Sequence, residues 1–228
     1  MYRLLSGLLA LALLGACQAP APQPQTPAAP AALPVAPPGN HVYTLDPSAS
    51  DLRIYVFRDG PAARAGHNHV FTAPTLSGHV EIPSDKVADA AFAVGLRLDS
   101  LVVDVPSLLA DTGGSFIDRP RSETDRAGTL RNLRKSLDTD TWPLLTLQSR
   151  QIRGDWPVLI ADVAIQLHGV TRVQPVMMTV LRSDTEIRAQ GQLVIHQRDF
   201  GITPFAIFGG LLAVQDGVAI RFDLVARR

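Results

Sequence analysis

The chain has one cysteine in 228 residues, at position 17, and no thiol after it. It has no excess of charge either: 21 Lys and Arg stand against 21 Asp and Glu. A balance of that kind gives no electrostatic case for nucleic acid or for a polybasic membrane patch. The N-terminal apolar run, residues 4–14, falls short of the roughly 20 residues that a permanent membrane-spanning helix needs. Signatures of catalysis are missing too. There is no phosphate-binding glycine loop, dinucleotide fingerprint, G-x-S-x-G elbow or H-E-x-x-H. Gly113-Gly114 and Gly209-Gly210 read as loop glycines, and Asp138 and Asp140 as a solvated turn after a helix. No enzymatic activity is expected.

What is present begins with Arg3, a short apolar core, and then Leu14-Gly15-Ala16-Cys17. A charged start, an apolar core and small residues form the layout of a secretion signal. The tetrapeptide resembles the lipobox of bacterial lipoproteins, which implies cleavage before Cys17 and acylation of its thiol. Buried acyl carbons contribute about 0.8 kcal/mol each, so two or three chains anchor stably. With that thiol acylated, disulfides, thiolate metal sites and cysteine nucleophiles are excluded from the mature chain. Three regions are expected: residues 1–16 as signal, 17–40 as lipidated cysteine plus tether, and 41–228 as one domain. Residues 18–40 contain eight prolines, seven alanines and no charge. That composition builds no core and favours extended polyproline II, reaching about 70 Å at ~3.1 Å per residue. The expected location is the bacterial cell envelope, facing the periplasm. Gln18 after the cysteine favours the outer membrane.

The domain reads mainly as strands. Leu52, Ile54 and Val56 alternate with Arg53, Tyr55 and Phe57. Phe92, Val94, Leu96 and Leu98 repeat the pattern, as do Val163, Ile165 and Leu167, then Leu193 and Ile195, and finally Val218, Ile220, Phe222 and Leu224. Period-two alternation marks strands with two differently dressed faces, and several in succession suggest a sandwich or barrel. One segment has helical spacing instead. Ser122 to Asp125 fits a capping box, Ala127, Leu130, Leu133 and Leu137 follow, and Arg126, Arg131, Arg134 and Lys135 take the outer face. An amphipathic helix over about 123–136 is predicted. A shorter helical turn is placed around 105–111. About eight strands closing on themselves remove exposed edges, and leave an interior that is either filled or holds one small ligand.

Histidine is the residue type with chemistry to offer. His67 and His69, at i and i+2 in Gly66-His67-Asn68-His69, share a face if extended. Two imidazoles supply two metal ligands, whereas closed sites need about four and catalytic sites about three. His79, His168 and His196 lie far apart in sequence, and His168 falls in a hairpin-turn pattern, Leu167-His168-Gly169-Val170-Thr171. A hydrogen-bonding role for the pair and a metal or haem role remain alternatives.

Several motifs occur in order. Tyr43-Thr44-Leu45-Asp46-Pro47-Ser48 opens the domain, and Gly66-His67-Asn68-His69-Val70 follows the first strands. Arg121-Ser122-Glu123-Thr124-Asp125-Arg126 heads the helix. Then come Leu167-His168-Gly169-Val170-Thr171, Arg198-Asp199-Phe200-Gly201-Ile202, and Val214-x-Asp216-x-Val218-x-Ile220. This ordered set, over about residues 43–226, resembles the YceI-like family. Ala49 and Gly217 depart from the family's usual histidine and acidic residue at those places. The resemblance implies a lipocalin-like antiparallel barrel with a packed helix, and an interior that holds an isoprenoid, quinone-type or fatty molecule. It implies a secreted or periplasmic binding protein without established catalysis, and no resident cofactor or metal is expected beyond a bound lipid. The function expected is a membrane-anchored lipid-binding module for storage, transport or stress protection. The alternatives are a metal- or haem-binding protein using His67 and His69, or an interaction domain with a filled barrel. His67, Asn68 and His69 are the headgroup candidates. Phe57, Phe71, Phe92, Phe205 and Phe208 are candidates for the apolar wall or mouth. The stretch 203–212 is unusually apolar for a loop, and reads as a barrel mouth or lid. Expected partners are a lipid ligand and, through Cys17, the membrane. A dimer is compatible with the sequence.

Overall fold

The computed structural model describes residues 31–228. The signal segment, Cys17 and the first part of the tether lie outside the described residues. In chain order the strands are β1 (Val42–Leu45), β2 (Asp51–Val56), β3 (Arg58–Asp59), β4 (His69–Thr72), β5 (Leu76–Glu81), β6 (Ala91–Arg97) and β7 (Val102–Val103). Two helices follow, α1 (Pro106–Thr112) and α2 (Glu123–Ser136). Then come β8 (Leu144–Asp155), β9 (Val158–Leu167), β10 (Val170–Arg182), β11 (Glu186–His196), β12 (Ala206–Ile207), β13 (Leu212–Val214) and β14 (Gly217–Arg227).

Hydrogen bonding runs β1-β5-β6-β8-β9-β10-β11-β14 and returns to β1 through Thr44↔Arg227 and Leu45↔Ala226. Every pairing in this closed eight-stranded barrel is antiparallel. Strand β14 serves two partners along one edge. Its C-terminal end pairs with β1, and Ala219 to Asp223 pair with β2, which leads on to β4 and β7. The barrel therefore splits at one end, and the branch carries the histidine segment.

Alternation sorts the faces as it does in any half-buried strand. Val163, Ile165 and Leu167 are buried on β9, Leu193 and Ile195 on β11, and Ile220 and Phe222 on β14. Tyr55 and Phe57 point away from that interior, yet they are also covered. The Phe116 ring sits edge-on to both, at 5.6 and 5.5 Å between centroids. The β9–β10 connection is two residues, His168 at φ 52° and Gly169 at φ 72°. Paired positive φ values match the right-handed strand twist in a tight hairpin. A Cβ at Gly169 would sit 2.7 Å from the Trp142 ring, so glycine is required there twice over.

Helix α2 has the full reciprocal capping box. Asp125 N donates to Ser122 Oγ at 3.1 Å, and Ser122 N donates to the Asp125 carboxylate at 2.8 Å. Leu130, Leu133 and Leu137 turn onto the core. No helix among the described residues is long and apolar enough to cross a membrane. Upstream of β1 the chain lies on the barrel's outer face: Ser77 Oγ donates to Pro34 O at 2.8 Å. Gly95 is bare beneath it, since a Cβ there would come within 2.6 Å of Pro34 Cδ.

Candidate functional site

The barrel interior contains two cavities, of about 120 Å³ and 290 Å³. Ile54, Leu145 and Ile220 line both, so the two abut across this belt. Together they fall within the range of about 300–1,000 Å³ usual for small-ligand sites. The first is walled by aliphatic side chains with Phe92, Met178, Phe222 and Trp156, and by His79, whose buried Nδ1 has no hydrogen-bond partner among the described residues. Its outer end is secured by Trp156, whose Nε1 donates to Asp85 O at 3.0 Å. The Arg182 guanidinium stacks 4.6 Å over that ring and pairs with Asp85 at 2.9 Å.

The second cavity lies at the other end, between the barrel, α2 and the β12–β13 hairpin. Phe71, Leu98, Leu133, Leu167 and Ile195 keep it apolar. Thr129, Asn132 and Ser136 of α2, with Arg58, His67, His69 and Gln197, gather polar groups at this end. The two cavities are thus mainly apolar along their length, with most polar groups at one terminus and His79 in the wall of the first.

His69 is oriented by a buried acid. Asp104, 1% exposed, accepts from Val70 N at 3.0 Å, and its other oxygen lies 2.7 Å from His69 Nδ1. The Arg121 guanidinium, whose side chain is 2% exposed, pairs with the same oxygen at 2.9 Å, its Nε–H not aligned for a hydrogen bond. Arg121 Nη2 donates to Asn68 O at 2.7 Å. A carboxylate facing a guanidinium and a backbone N–H acts as an acceptor, so His69 Nδ1 carries its hydrogen. In the neutral ring, Nε2 then presents a lone pair. His67 lies beside it, 6.0 Å between ring centroids. Burial first, then the positive charge of Arg121, holds the His67 pKa below its ordinary 6.5.

The sequence candidates separate into groups. His67, His69, Phe71 and Phe205 line the second cavity, and Phe92 lines the first. Asn68 is buried and lines neither. Its Oδ1 accepts from Arg58 N at 2.9 Å and its Nδ2 donates to Ser115 Oγ at 2.7 Å, so it fixes the loop that carries the histidines. Phe57 packs on Phe116, away from both cavities. Phe208 is 73% exposed at the hairpin tip. His168 bonds Phe200 O at 3.1 Å and packs on Trp142, in the turn. Among the described residues no three His, Cys, Asp or Glu side chains are grouped to hold a metal ion. Asp104 was not a sequence candidate. Its one signal is a lone acid in the apolar run Val102-Val103-Asp104-Val105.

The YceI-like domain model matches residues 43–226. No curated protein matches the chain. Among solved structures, BcnA from Burkholderia cenocepacia is similar over 80% of this chain and 99% of its own, at 16% identity and a TM-score of 0.58. A polyisoprenoid binding domain from Saccharophagus degradans is similar over 81% of this chain and 97% of its own, at 18% identity and a TM-score of 0.54. At these identities the likeness concerns the fold.

Proposed function

The chain belongs to the YceI-like family, and on that premise we propose that it is a lipid-binding protein whose barrel holds one isoprenoid or fatty amphiphile lengthwise. The observation that carries this reading is the abutting pair of mainly apolar cavities whose polar groups gather at one terminus, with His79 set in the wall of the first. Each methylene moved from water contributes about 0.8 kcal/mol, so a few isoprene units give substantial affinity before entropic losses. Binding of this kind needs shape and dryness, which is consistent with the absence of catalytic motifs, and we assign the protein no enzymatic activity.

The histidines set the headgroup. In the neutral ring His69 Nε2 accepts, and neutral His67 has one N–H to give. A group that donates to one and accepts from the other is a hydroxyl. The pair therefore favours a long-chain alcohol over a quinone, whose carbonyl oxygens only accept. Acylation at Cys17 would hold the domain in the cell envelope on the tether of residues 17–40, with residues 1–16 removed as signal. Thermal unfolding with added lipid tests the headgroup assignment. A polyprenol should raise the Tm more than its methyl ether or a quinone with the same tail. The advantage should vanish in His69→Phe. Equal shifts for all three lipids would refute the headgroup assignment, and no shift with any of them would refute lipid binding.

A further inference from the structure

The β12–β13 hairpin presents an apolar tip that the cavity does not consume. From Phe200 to Gln215 the chain carries no charged side chain. Ile207 and Leu212 face the second cavity. The residues between them turn outward: Phe208 is 73% and Leu211 51% exposed. Apolar surface therefore continues without a break from cavity wall to solvent.

The tip is built, not loose. Phe208 adopts φ 52°, followed by Gly209 at 67° and Gly210 at 89°. A bulky aromatic seldom occupies that left-handed region, and such residues persist where their surroundings over-determine them. Here the surroundings are the β3 segment: Ala62 N donates to Leu211 O at 2.8 Å, and β13 pairs with β3 through Ala213↔Asp59 and Val214↔Arg58. Gly60 makes this approach possible, since a Cβ there would meet Gly210 O at 2.6 Å. A rigid hairpin holding an aromatic and a leucine into water is a shape suited to the headgroup–acyl boundary of a bilayer.

The route of the chain gives the direction. β1 begins with Val42 opposite Glu81, near the Trp156 end of the barrel. Pro34 lies further along the outer face, against Ser77 and Gly95. Gly95 adjoins Leu96, whose cross-strand partner Leu145 borders both cavities. Followed backwards from β1, the chain thus runs from the Trp156 end towards the hairpin end. From Leu33 to Cys17 it is long enough to reach at most about 55 Å. A membrane holding Cys17 is within reach of the hairpin end, towards which the described chain runs.

We propose that the tip of the β12–β13 hairpin, Phe208 and Leu211, docks into a lipid bilayer and joins the second cavity to the acyl region, so that ligand passes between membrane and barrel without crossing water. The passage of ligand rests on the lipid-binding reading above; the docking does not. The full chain carrying Phe208→Trp is added to vesicles of phosphatidylethanolamine and phosphatidylglycerol containing phosphatidylcholine brominated in its acyl chains. Trp142 and Trp156 in the unsubstituted chain set the baseline. The added tryptophan should shift to the blue and lose about half its emission or more to the bromines. In a second arm, Phe208→Ser with Leu211→Ser should slow polyprenol transfer from vesicles by about tenfold, because the apolar path is broken. Its affinity for polyprenol in detergent should not change. Absence of quenching overturns the docking. Quenching with no polyprenol taken up by any form upholds the docking and removes the lipid-binding reading. Quenching with unchanged transfer in the double variant overturns the continuous path.

Discussion

Asp104 sits at φ 52° with two donors and the Arg121 guanidinium converging on its carboxylate, and the tautomer of His69 depends on it. Asparagine tolerates that backbone region well, so Asp104→Asn isolates the charge. It leaves the buried Arg121 guanidinium without its carboxylate, which typically costs about 3–5 kcal/mol. Urea unfolding should show a loss of that order, and the alcohol preference should be lost with it. His67 supplies a pH signature. Its folded pKa lies below the ordinary 6.5 because burial and Arg121 oppose the charged form. The unfolded chain then binds the proton first, so stability is complete above about pH 6.5 and falls as the pH drops towards the lower folded value. Comparing Tm against pH for the native chain and His67→Gln should show a shallower acid slope in the variant. Neither point is readable in the sequence. Asp104 lies 35 positions from His69, and nothing local announces the contact. The i, i+2 spacing of His67 and His69 did indicate a shared location, while Asn68 between them turned into the loop's own hydrogen bonds.

Elements with a regular period were the most legible. Helix α2 spans Glu123–Ser136, the range its capping box and leucine spacing indicate. The hairpin at His168-Gly169 follows from its turn residues, and Gly169→Ala tests it. The variant meets both a positive φ and the Trp142 ring, so a loss of about 1–3 kcal/mol is expected in urea unfolding. Face assignment was harder. β2 carries apolar or aromatic side chains on both sides, and Tyr55 and Phe57 are covered only because the chain returns with Phe116 from far downstream. The β12–β13 hairpin has two- and three-residue strands. Those are too short for any period to show. Its apolar composition marked it as a mouth or lid, but could not distinguish Phe205, which lines a cavity, from Phe208, which leaves it.

At the scale of the whole molecule, the closed barrel and its branch produce a long, mainly apolar interior with most of its polar groups at one end, a docked upstream segment and an apolar hairpin beside that end. An eight-stranded barrel is the size at which side chains fill the interior or leave room for one small ligand, and no pattern of alternation distinguishes those outcomes. The inward residues decide it: where Ala189 lines the first cavity, a larger side chain would close it. Ala189→Phe is therefore expected to fold, with stability equal or higher, since it occupies a void already present. It should also exclude a long chain. Native mass spectrometry of the full chain, purified gently from its own cells beside Ala189→Phe, tests this most directly. One long-chain lipid per protein is expected on the native chain and none on Ala189→Phe. A native chain that carries no lipid, or an Ala189→Phe chain that carries the same lipid at the same occupancy, would contradict the account.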